Sequence, residues 1–156
     1  MDIESFDYDA AFNRNLGLVQ PLEQEKLKNS RVAIAGLGGV GGIHALTLTR
    51  MGIGKFHIAD FDTFEIHNFN RQSGAAFSTI GKEKCSTLQQ MMNDINPSAK
   101  ITTFDAGINE NNINQFLENV DVVVDGLDFF AVDARDMLYR EAYNKGLPVV
   151  GAGPIG

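Results

Sequence analysis

Two carboxylates, an arginine and a lysine follow a run of glycines, at spacings that suit phosphate chemistry. The run is Gly36-Leu37-Gly38-Gly39-Val40-Gly41. Gly36 permits a tight turn straight off a strand, Gly38 lets a ligand approach the backbone, and Gly41 lets a following helix pack closely on the strand. Gly39 belongs to the same cradle. The helix start offers N–H groups and the positive end of a dipole, which suits phosphate. Glycines in this pattern also simply make turns; the flanking strand and helix favour a nucleotide site, without saying which nucleotide.

Asp60 stands 19 residues after Gly41, where an acid at the end of the second strand accepts hydrogen bonds from ribose hydroxyls. The stretch from Asp60 to Gln72 is long and polar, and it contains Arg71. A dehydrogenase needs no arginine there. A triphosphate does, because guanidinium is a permanent, forked phosphate donor. Lys84, in Gly81-Lys82-Glu83-Lys84, adds a second positive charge. The ordinary reading of a helical lysine is solvated surface, and Lys82 is read that way. Asp128, in Asp125-Gly126-Leu127-Asp128, follows the fourth strand, and ligands of such sheets bind beyond the strands' carboxyl ends. A carboxylate beside phosphates is repelled unless a cation lies between them, so Mg²⁺ at Asp128 is the physical inference. The alternative is that Asp128 caps the next helix.

These residues need strands and helices in alternation to bring them together. Strands are predicted over 32–35, 55–59, 100–104, 120–125 and 147–151, with Val122, Val123 and Val124 buried on both faces as a parallel sheet requires. Helices are predicted over 21–29, 40–51, 81–93, 110–118 and 131–145, the last burying Val132, Met137, Leu138 and Ala142. Residues 63–78 read as a loop that wraps a site. The alternation implies an α/β, Rossmann-like, doubly wound and mostly parallel sheet with helices on both faces. The division expected is a helical N-terminal arm, 1–30, and a nucleotide-binding domain, 31–156. Phe6, Tyr8, Phe12, Leu16 and Leu18 are expected to pack on the domain or on a partner. The closing fifth strand and Gly-Pro-Ile-Gly turn have nothing to cover them, which suggests the N-terminal portion of a longer protein.

Composition narrows the class. The chain has 156 residues, 44% apolar and 21% charged, and can bury a sizeable core. No apolar run approaches the ~20 residues that span a bilayer, and the acidic N-terminus has no signal-peptide core. A formal charge of −7 disfavours general nucleic-acid or membrane surfaces. The single Cys85 excludes an internal disulfide and a cysteine-based zinc site, and fits a cytoplasmic protein. It is read as a packing residue. His44, His57 and His67 lack ligand spacing.

The stretch from Arg14 to Gly151 resembles the ThiF/MoeB family, the ATP-dependent activators of ubiquitin-like sulfur carriers. Ubiquitin-activating enzymes share that adenylation domain. The resemblance rests on Asn13-Arg14, the glycine run, Asp60-Phe61-Asp62, Asn68-Phe69-Asn70-Arg71-Gln72, Gly81-Lys82-Glu83-Lys84, Ile95-Asn96-Pro97 and Asp125-Gly126-Leu127-Asp128, in family order. It implies that Asp60 holds the ribose of ATP, that Asn68, Arg71 and Lys84 contact the triphosphate, and that Asp128 binds Mg²⁺. It implies that Arg14 reaches the γ-phosphate region of a neighbouring subunit, in a homodimer. The implied reaction joins the C-terminal glycine carboxylate of a Gly-Gly-tailed carrier to AMP, releasing pyrophosphate. The family's usual Thr-Asp-Asn is here Leu127-Asp128-Phe129, and the downstream catalytic cysteine and Cys-x-x-Cys zinc motifs are absent. Two other readings stand beside it. One is an NAD(P)-binding module, which leaves Arg71, Lys84 and Asp128 without a joint purpose. The other is a non-catalytic nucleotide-binding or dimerisation domain.

Overall fold

The computed structural model describes residues 5–152. Five parallel strands form one sheet: β1 (Arg31–Ala35), β2 (Lys55–Ala59), β3 (Lys100–Phe104), β4 (Val122–Asp125) and β5 (Val149–Gly151), in the order β3-β2-β1-β4-β5. The order reverses direction at β1, so a crevice opens between the carboxyl ends of β1 and β4. The register aligns Ala35 with Ala59 on one side and with Asp125 on the other. The final residues of three strands therefore share one edge.

Alternation along β1 and β2 divides the core. Val32, Ile34, Phe56 and Ile58 face α3 (Gly41–Arg50) and α4 (Lys84–Ile95), packing with Ala45, Leu88 and Met92. Ala33, Ala35 and Ala59 face the other way, with Phe104, toward α5 (Ile113–Phe116) and α6 (Val132–Asn144). This is the doubly wound Rossmann-like sheet with helices on both faces. Before β1 come α1 (Tyr8–Phe12) and α2 (Pro21–Asn29). Tyr8 and Phe12 are buried, whereas Leu18 is open. The Tyr8 hydroxyl donates to Gly52 O at 2.6 Å, and Gly54 N donates to Leu27 O, so this segment is packed on the domain.

Several boundaries depart from the sequence reading. The helix expected from residue 81 begins at Lys84, because residues 62–64 pair with 81–84: Phe64 N donates to Lys82 O, Gly81 N to Phe64 O and Lys84 N to Asp62 O. Gly81 turns there at φ +79°. The loop expected over 63–78 contains two 3₁₀ turns, Ile66–Asn68 and Phe77–Thr79. The helix expected over 110–118 is regular only over Ile113–Phe116. Asn109 and Asn112 side chains take backbone groups of that segment instead, an Asx-type competition with helix. Val132, expected to face inward, is 65% exposed, because it opens α6 one turn before Met137 and Leu138 reach the core. The Gly153-Pro154-Ile155-Gly156 turn lies outside the described residues.

Candidate functional site

The site begins as a junction of three glycines. Gly36 leaves β1 at φ +85°. A Cβ there would overlap Gly126 O, and a Cβ on Gly41 would overlap Gly36 O and stand 3.2 Å from Ile34 Cγ2. A Cβ on Gly126 would lie 2.7 Å from Gly36 O and 2.9 Å from Gly41 Cα. The glycine loop and the turn after β4 are therefore in backbone contact, closed by Gly126 N donating to Ala35 O at 2.8 Å. Gly126 is a residue whose role sequence reasoning missed, although its type was the available signal. Gly38 has nothing closer to a Cβ position than Gln72 Nε2 at 3.7 Å. The N–H groups of Gly38, Gly39 and Val40 have no backbone partner among the described residues. They are free donors at the start of α3.

Asp60 directly follows β2 and organises this loop. Its Oδ2 accepts from Leu37 N at 2.7 Å, and its Oδ1 accepts from Asp62 N at 2.8 Å. Lys84 Nζ lies 3.8 Å from Asp60 Oδ1 and donates to Asp62 Oδ2 at 2.9 Å. Lys84 is only 5% exposed, so it is no solvated surface lysine; two carboxylates hold its charge. Asp60 thus does a structural job in addition to the ribose contact expected of it, and each carboxylate oxygen retains a further acceptor site.

Arg71 lies across the cradle: a Cβ on Gly39 would stand 3.3 Å from Arg71 Cγ. Its Nη1 donates to His67 O at 3.2 Å and Asn70 Oδ1 at 3.1 Å, and its side chain is otherwise open. Asn68 is buried, and its Oδ1 accepts from Glu65 N at 2.9 Å, shaping the turn that delivers Arg71. Gln72 is 6% exposed with Oε1 unpaired and Nε2 beside Gly38. The sequence motif contained it but assigned it nothing.

Asp128 is exposed in the turn after β4, and its Oδ1 accepts from Phe130 N at 3.0 Å. It is not the N-cap of α6; Ala131 holds that position. No group of three or more His, Cys, Asp or Glu side chains is placed to hold a metal among the described residues. The donor set therefore fits Mg²⁺ only in the manner usual for nucleotide sites, one or two carboxylates with phosphates completing the shell. The free N–H groups and Arg71 fit the phosphates themselves.

Arg14 does not join this group. It is exposed in the 3₁₀ turn Asn13–Asn15. Its neighbour Asn15 donates to Met51 O at 3.0 Å, at the far end of α3. A ten-residue helix is about 15 Å long, so Arg14 stands a helix length from its own chain's cradle. Cys85 is buried beneath β2, 3.4 Å from Asp60 O. Burial, with the Asp105 charge, pushes its thiol up to about 12. A thiol so protonated at neutral pH is a packing group, not a nucleophile. His57 is buried against Phe104 and Phe116, and desolvation lowers its pKa.

A parallel sheet with a glycine loop, free N–H donors and cations at its switch point defines a nucleotide-binding α/β domain. Residues 12–156 match the ThiF family, and the chain belongs to that family. It is 32% identical over 142 residues to the tRNA threonylcarbamoyladenosine dehydratase of Bacillus subtilis, covering 90% of this chain and 55% of that protein. It is 33% identical over 132 residues to the molybdopterin-synthase adenylyltransferase of Escherichia coli, covering 85% and 52%. The crystal structure of E. coli tRNA N6-threonylcarbamoyladenosine dehydratase in complex with ATP superposes with a TM-score of 0.89 at 26% identity, over 95% of this chain and 60% of that one. The chain thus spans little more than half the length of these relatives. Membership of this family replaces the NAD(P)-module alternative.

Proposed function

We propose that this chain forms the ATP-holding part of an enzyme that adenylates a carboxylate, that of the C-terminal glycine of a ubiquitin-like or sulfur-carrier protein. The observation that carries this reading is the convergence of three free N–H groups and Arg71 on one loop, beside a buried Lys84. A carboxylate oxygen attacks the α-phosphorus, the bond to the bridging oxygen breaks, and pyrophosphate departs. The attacking carboxylate is already ionised at neutral pH, so no general base is needed. Negative charge shifts onto the leaving phosphates, where preorganised donors act best. Arg71 supplies a guanidinium there. Lys84 has three donors, and its two carboxylate partners leave one for a phosphate oxygen. Asp60 anchors the loop and accepts from the ribose; Asn68 holds the turn against the triphosphate. Asp128 would hold Mg²⁺, which neutralises phosphate charge when bound. Arg14, remote from its own cradle, serves a second copy's site in a homodimer.

A relative acts, by its name, on tRNA. The −7 charge of this chain favours a protein carrier over a polyanion.

Calorimetric titration with ATP, AMP and NAD⁺, with and without Mg²⁺, tests the nucleotide. Mg²⁺-enhanced ATP binding with no NAD⁺ response is expected; the converse overturns the reading. ATP–pyrophosphate exchange then tests the acceptor. Exchange stimulated by a carrier ending in Gly-Gly supports the proposal, and exchange stimulated only by tRNA moves the substrate to RNA.

A further inference from the structure

The turn that carries Asp128 is held by one side chain on α6. Arg135 Nε donates to Asp125 Oδ2 at 2.8 Å. Nη2 donates to Leu127 O at 2.9 Å and Asp128 O at 3.1 Å, and Nη1 to Phe129 O at 3.2 Å. A single guanidinium thus gathers three successive carbonyls, while Asp125 Oδ1 accepts Leu127 N at 3.1 Å from the other side. Asp125 is itself fixed: its side chain is 7% exposed, and β4 pairs it with Gly151 of β5. Gly126 ties the start of the turn to the glycine junction and Ala131 N donates to Asp128 O at 3.0 Å, but past Gly126 the turn is open: Phe129 and Phe130 are 81% and 84% exposed and touch edge-to-face. The carbonyls are drawn inward, and the exposed Asp128 carboxylate keeps one oxygen free of hydrogen bonds among the described residues. Only a planar fork with five donors meets four acceptors in this spread.

We propose that Arg135 is the positioning residue for Asp128: it fixes the turn after β4 so that the Asp128 carboxylate is presented to the metal accompanying the nucleotide. This rests on the proposed function, because Asp128 has a metal to meet only if the chain binds a metal–nucleotide complex.

The experiment is calorimetric titration of Arg135→Ala, Arg135→Lys, Asp128→Ala and the double variant Arg135→Ala/Asp128→Ala with ATP and with AMP, each with and without Mg²⁺. Mn²⁺ paramagnetic resonance in the presence of a non-hydrolysable ATP analogue reads the metal directly. Arg135→Ala is expected to lose about tenfold of the Mg²⁺ enhancement of ATP binding, with AMP binding kept within about twofold. Lysine, a point charge without the fork, restores part of it. Asp128→Ala abolishes the enhancement, and the double variant loses nothing further. Full enhancement in Arg135→Ala, equal losses for ATP and AMP, or additive losses in the double variant would overturn the proposal. Should Arg135→Ala not fold, Asp125→Asn, which keeps one acceptor and removes the ion pair, takes its place with the same expectations. An absence of Mg²⁺ enhancement in the unaltered protein would overturn the metal reading itself. Enhancement there that is indifferent to residue 135 would overturn only the role of Arg135.

Discussion

The carboxyl ends of β2 and β4 use the same device with opposite reach. Each carries an aspartate, Asp60 directly after β2 or Asp125 at the end of β4, that accepts a loop N–H and pairs with a cation from the following long helix, Lys84 or Arg135. Asp60 reaches across to the glycine loop of a different strand, and Lys84 is buried between two carboxylates. Asp125 binds its own turn, and Arg135 is partly open to solvent with a side-chain exposure of 30%. The first arrangement is fixed by several long-range contacts together with the three-glycine junction. The second shares that junction only at Gly126, and from Leu127 to Phe129 its carbonyls are gathered by one guanidinium. A phosphate cradle profits from the first kind of rigidity, because its donors must already stand in place; a turn that presents one carboxylate is served by the second.

The largest expected effect falls on the junction. Gly41→Ala drives a Cβ into Gly36 O, which is backbone and cannot step aside, and is expected to cost about 3 kcal/mol in urea denaturation. Gly81→Ala, strained by its φ of +79° but facing open space, should cost about 1 kcal/mol. Equal costs would break the claim that close packing, rather than backbone conformation alone, makes the cradle rigid. Lys84→Met comes next. It leaves Asp60 and Asp62 without their shared cation and should cost about 2 kcal/mol, below the range for fully buried pairs because the Asp62 side chain is 52% exposed. ATP binding should fall with it. Asp60→Asn keeps a carbonyl for one of the two N–H groups and should cost about 1 kcal/mol, read by faster hydrogen exchange at Leu37. Unchanged exchange there would show that the glycines alone hold the loop.

The smallest effect concerns Cys85, 3.4 Å from Asp60 O. Its folded pKa of about 12 lies above its ordinary 9.0. The neutral thiol therefore favours the native state fully below pH 9 and loses that advantage as the pH rises toward 12. In that window the protein should lose stability relative to Cys85→Ala, and below it iodoacetamide should label Cys85 only through opening of the β2 end. Rapid native labelling at pH 8 would mean that this end is looser than the β4 end.

Much of the site was legible because its signals are local. Gly36 and Gly41 are demanded by a turn and a close approach, Asp60 follows at the length of one helix and one strand, and Arg71 is the one arginine in the polar stretch from Asp60 to Gln72. Lys84 was legible as a cation but not as a buried one, since a lysine on a helix looks alike in either case. Gly126 and Arg135 were not legible as parts of the site. The partners of Gly126 lie on the β1 loop, and those of Arg135 are mostly carbonyl oxygens, which every residue carries and no sequence displays. The early start expected for α4 failed because the pairing of 62–64 with 81–84 is a long-range contact that local periodicity does not register.

By itself, then, the sequence determined the alternation of strands and helices, the glycine turn and the charged residues at the strand ends, because hydrophobic period, backbone freedom and charge are properties of residue type. Only the tertiary structure decided which strands are neighbours, that Asp60 is spent partly on Leu37, that Lys84 lies buried between two carboxylates, and that Arg135 governs the turn bearing Asp128. Those outcomes depend on where the chain returns in space, and hydrogen bonds to backbone atoms are chosen by that return rather than by the identity of the residues that supply them.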